Sequence, residues 1–67
     1  MDAVFTFAIG FTTVRPIRPD QHMTFVTLAG HDSAAGLSDA RQLAITWVHL
    51  KHRAEMVTSA QLIAATI

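Results

Sequence analysis

Phe5, Phe7, Ile9 and Phe11 occupy every second position, with Thr6, Ala8, Gly10 and Thr12 between them. Successive strand residues point to opposite faces, so this alternation puts three of the 4 phenylalanines on one side of a strand. Aromatic and β-branched residues suit such a pleated surface. The pattern predicts a strand over Val4–Val14 with one strongly apolar face that another element must cover. Gly10 marks either a bulge or a close approach of another backbone.

A downstream helix is the natural cover. His31-Asp32-Ser33 offers a start, because Asp32 or Ser33 can accept a hydrogen bond from a free first-turn amide. Ser38-Asp39 could cap a later start. Ala34, Ala35 and Leu37 favour the earlier one, at a cost of about 1 kcal/mol for Gly36 inside the helix. At a helical period Leu37, Ala40, Leu43, Ala44, Trp47, Val48, Leu50 and Ala54 share one broad stripe, with Gln42, Thr46, His49 and Arg53 opposite. Lys51 falls inside the stripe, where its stem packs while its ammonium reaches water. Lys51, His52 and Arg53 complement the negative helix C-terminus. The stripe places Trp47 in the core against Phe5, Phe7, Ile9 or Phe11. A core tryptophan would make Trp47→Ala cost about 3–5 kcal/mol. Met23 and Met56 read as core filler.

Between these segments, Arg15-Pro16-Ile17-Arg18-Pro19-Asp20-Gln21 reads as a connection longer than a tight hairpin, since proline cannot donate to a ladder. His22–Ala29 reads as a second strand ended by Gly30. Its two parities, Met23, Phe25, Thr27 and Thr24, Val26, Leu28, are both partly apolar, so its inward face stays open. The tail carries two signals. Thr58-Ser59-Ala60-Gln61 matches a capping box, and Val57 with Leu62 its hydrophobic staple. Met56-Val57-Thr58 instead reads as strand. A hairpin under one helix is barely viable and three strands are enough, so a third strand over Thr58–Thr66 is preferred. The expectation is an α+β fold: one helix on one face of a small antiparallel three-stranded sheet, order ββαβ, as a single domain over residues 1–67.

A chain of 67 residues buries only about 60% of the surface its unfolded form exposes. Yet 51% of its residues are hydrophobic and only 15% charged. There is no cysteine, so no disulfide or thiolate zinc site stabilises it, and this fits a cytoplasmic protein. The sheet face away from the helix would present Val4, Ala8 and Val14, plus either Met23 and Phe25 or Val26 and Leu28. These features together predict a twofold homodimer, with a host protein as the alternative occupant. Ile45 lies on the polar side of the helix, flanked by Arg41, His49 and His52. Those four residues read as an exposed apolar contact in a basic rim and are the candidate partner-binding site.

Other chemistries lack their residues. His49 and His52 are neighbours on the helix, but two imidazoles do not make a zinc site. His31-Asp32 would sit roughly 30 Å away along the helix. Ser33, Ser38 and Ser59 stand in no nucleophile motif, the acids are scattered singly, and the 3 glycines form no phosphate-cradling loop. No catalytic, metal or cofactor site is expected. Lys+Arg 5 and Asp+Glu 5 cancel, which argues against nucleic acid. The runner-up reading, a small nucleic-acid-binding regulator, would use Arg15, Arg18, Lys51 and Arg53. Ala3–Val14 is too short and threonine-rich for a membrane span, and no basic residue precedes it as a secretory signal requires.

Two stretches carry a resemblance. One is Thr24-Phe25-Val26-Thr27-Leu28-Ala29-Gly30-His31-Asp32, a strand leading into a Gly-His-Asp helix start. The other is Glu55-Met56-Val57-Thr58-Ser59-Ala60-Gln61-Leu62-Ile63. Together they resemble the small orphan proteins encoded by phages of actinobacteria, some of which act by binding a host protein. The resemblance implies a non-enzymatic accessory protein in the host cytoplasm and carries over no catalytic residue.

Overall fold

The computed structural model describes residues 2–13 and 20–67. The alternating segment forms β1, Asp2–Thr13. It lies at the centre of a three-stranded antiparallel sheet of order β2-β1-β3, with β2 spanning Asp20–His31 and β3 spanning Ala54–Thr66. Among the described residues a single helix, α1, Ala34–His52, connects β2 to β3. This is the α+β, ββαβ arrangement that the sequence predicts. The tail is strand, beginning at Ala54 rather than at Thr58. The proline connection, Arg15 and Arg18 included, lies outside the described residues.

Phe5, Phe7, Ile9 and Phe11 are all buried and form the core with Ala40, Ala44 and Val48 of α1. The register pairs Phe5 with Leu28, Phe7 with Val26 and Ile9 with Thr24. Opposite residues share a face, so Leu28, Val26 and Thr24 are the inward set of β2 and Met23 and Phe25 point away. Met23 and Met56 are exposed, which corrects their reading as core filler.

The helix is rotated from its expected seat. Its buried line is Gly36, Ala40, Ala44 and Val48, one residue per turn and mostly small. Leu43, Trp47 and Leu50 stand outside the core, with Trp47 44% exposed. The expectation of a core tryptophan is therefore wrong, for a reason of size. Phenylalanines already fill the space above β1, so the facing helix must offer alanine and glycine to approach. Ala54, also assigned to the stripe, belongs to β3.

Both ends of the helix are fixed locally. Ser33 is the N-cap: its side chain accepts a hydrogen bond from the Gly36 amide at 2.9 Å. The Ser33 amide donates to the His31 carbonyl at 2.9 Å, folding the first turn back on the end of β2. A Cβ on Gly36 would sit 2.7 Å from the His31 carbonyl carbon, so packing requires glycine here. Gly30 does not end β2. It lies within the strand, where a Cβ would come 3.1 Å from the Phe5 ring and 3.5 Å from Ala40 Cβ. At the other end Arg53 takes a left-handed conformation, φ 54° and ψ 42°. His49 Nδ1 donates to the Ala54 carbonyl at 3.0 Å and pins the corner into β3.

The two outer strands differ. β2 pairs with β1 in unbroken register from Asp20 to His31. β3 shifts register three times, between the β1 residues Thr6/Phe7, Gly10/Phe11 and Thr12/Thr13. The shifts leave Ile63, Thr58 and Glu55 as extra residues on β3. Gly10 borders one shift, and the close approach there is of side chains rather than of another backbone, since a Cβ would come 2.7 Å from Ser59 Oγ. Above it Gln21 Nε2 donates to Thr58 Oγ1 at 3.2 Å, joining both outer strands across the central one.

Candidate interaction surface

β2 is one edge of the sheet, so its outer row of backbone amides and carbonyls has no strand partner among the described residues. Beside that edge α1 presents Leu43 and Trp47. Together with Phe25, Val26, Thr27 and Leu28 they line a groove of about 420 Å³, floored by Ala44. The groove exists because the small-residue line sets the helix over β1 and leaves its larger side chains overhanging β2. Leu43 is 61% exposed and Phe25 64%. Leu50 extends the apolar strip along α1, and Met23 extends it along the far face of β2. Exposed apolar residues thus flank the β2 edge on both sides of the sheet.

The far face itself is less open than the sequence suggests. Val4 is exposed there, Ala8 is buried, and Val14 lies outside the described residues. Thr6 and Thr27 hydrogen-bond across the strands at 3.0 Å, and the Gln21–Thr58 bond closes over Gly10. The large apolar side chains exposed on that face are Val4 of β1, Met23 and Phe25 of β2, and Met56 of β3.

The four residues singled out as a partner site do not form an exposed patch. Ile45 is half-buried, which corrects its reading as an exposed apolar residue. Arg41 is half-buried as well, with its guanidinium 5.7 Å from the centre of the Phe7 ring, a cation–π distance. His52 packs between Phe11, at 5.3 Å between ring centres, and Trp47, at 5.4 Å. His22 also stacks on Phe11, at 5.3 Å between ring centres. His49 is exposed but closes the helix corner. Lys51 and Arg53 are exposed at the helix end. Among the described residues no three metal-ligating side chains come together, and no helix is long and apolar enough to cross a membrane.

The sequence gives two signals for the groove, both outweighed by side-chain size. Gly36, Ala40 and Ala44 recur every fourth residue, which marks the true contact line. β2 carries no lysine, arginine or proline from Gln21 to His31, which marks an unprotected edge. Comparison with known proteins returned no match, whether by family model, by sequence against curated proteins or by fold against solved structures.

Proposed function

We propose that this chain is a small non-enzymatic accessory protein of the phage type, acting in the host cytoplasm by protein–protein contact. Its contact surface is the apolar margin of β2 and α1. The observation that supports this reading is the groove at the β2 edge, where Leu43, Trp47 and Phe25 stand exposed beside a strand whose outer edge has no strand partner among the described residues. A contiguous apolar patch of this kind on a small chain marks an interaction site. An unpaired edge adds main-chain hydrogen bonds for an incoming segment.

The test is the hydrodynamic size of the epitope-tagged chain in nuclease-treated host lysate. Wild type is expected to migrate well above its monomer size, and Trp47→Glu is expected to collapse to it. A wild-type chain that migrates as a monomer, or a large complex untouched by Trp47→Glu, would overturn the reading.

A further inference from the structure

We infer that the occupant of the β2 edge is a second copy of this chain, added antiparallel through β2 about a twofold axis near Val26, so that two three-stranded sheets become one of six. The inference rests on the reading of this margin as a contact surface and names its partner.

Exposed apolar residues lie on both faces of β2, with Met23 and Phe25 on one and Leu43 and Trp47 overhanging the other. A body docked on either face covers one set and leaves the other wet. A strand added at the edge covers both, because its own side chains alternate between the two faces. β2 suits that pairing and β3 does not. The 12 residues of β2 hold an unbroken register and carry no lysine, arginine or proline from 21 to 31, whereas three extra residues kink β3. Long, regular, uncharged edges associate and bulged ones resist.

A second copy also fits by dimension. An axis perpendicular to the sheet keeps both helices on one face and makes them antiparallel. Each helix lies over its own β1, so the two axes stand three strand spacings apart, roughly 14 Å. Direct helix packing needs about 8–10 Å. The excess is a gap beside the twofold, and Leu43 and Trp47 of both copies are the side chains that overhang it. Centring on Val26 sets that residue against its own copy and Phe25 against Thr27 of the second copy. The Cα envelope measures 46 × 17 × 16 Å, so one long side projects roughly 700 Å², close to the ~800 Å² per partner of a standard stable interface.

Sedimentation equilibrium of the purified full chain at tens of micromolar reads the stoichiometry. Wild type is expected at twice the 7.3 kDa monomer mass, and Trp47→Glu at the monomer mass with an unchanged circular dichroism spectrum. Single cysteines then locate the contact, since the chain has none of its own. Thr27→Cys is expected to cross-link to its own copy with a short bismaleimide. Gln61→Cys on β3, five strand spacings or roughly 24 Å from its copy, is expected not to. A folded monomeric wild type, a dimer insensitive to Trp47→Glu, or cross-linking through position 61 instead of 27 would each overturn the inference. If the purified chain is monomeric yet runs in a Trp47-dependent complex in lysate, the contact-surface reading stands and the second copy alone is excluded.

Discussion

At Gly36, helix propensity asks for alanine and packing asks for glycine. Propensity alone would make Gly36→Ala stabilising by about 1 kcal/mol. The added Cβ would instead overlap the His31 carbonyl group, which is backbone and already holds the Ser33 amide. Overpacking of this kind costs about 1–3 kcal/mol. The expected result is a lower urea midpoint for Gly36→Ala, and a raised midpoint would contradict the packing. Arg53 presents the opposite case. Its left-handed backbone costs a non-glycine residue about 1–2 kcal/mol, partly offset by the greater unfolded-state freedom of glycine. Arg53→Gly is expected to stabilise the fold by about 0.5–1 kcal/mol, seen as a higher thermal midpoint.

Among the elements, β1 is the most legible in sequence, because its alternation is strict and its inward residues are large. Local chemistry offers Ser33 as one of two caps, whereas the third strand follows from what a small sheet needs, because the local signals of the tail conflict. The inward face of β2 was not legible, since both of its parities carry apolar residues and only the register with β1 separates them. The seat of α1 was misread because hydrophobicity weights leucine and tryptophan above alanine, whereas a helix above phenylalanines needs small residues in the middle. That rotation reaches the candidate site twice: hydrophobicity predicts Trp47 in the core and Ile45 on the surface, whereas Trp47 is exposed and Ile45 half-buried. The two aromatic positions now predict different outcomes. Phe7 is fully buried, so Phe7→Ala should cost about 3–5 kcal/mol and unfold a domain this small. Trp47→Ala should cost the monomer fold about 1–2 kcal/mol and leave its circular dichroism spectrum in place. An unfolded Trp47→Ala chain alongside a folded Phe7→Ala chain would reverse the assignment of the core.

For the whole molecule, shape and surface point the same way. The chain exposes 4664 Å², about a tenth more than the ~4,200 Å² typical of a compact monomer of its mass. That excess follows from an elongated body whose single helix covers one face of long strands. If pairing through β2 removes part of it, stability becomes a function of protein concentration. The thermal midpoint is expected to rise by about 3–5 °C for each tenfold increase in concentration. A midpoint independent of concentration would mean that the folded chain stands alone.

The three extra residues of β3 bear on how far such an assembly can grow. A sheet that adds strands at both margins has no reason to stop and polymerises into a fibre. Here one margin is straight and the other is broken at Glu55, Thr58 and Ile63. Joining two straight margins across a twofold uses up both of them, and every margin left is a broken one. In the proposed dimer the irregularities of β3 would act as chain terminators, limiting growth to two copies of a chain whose open edge carries no lysine, arginine or proline from 21 to 31.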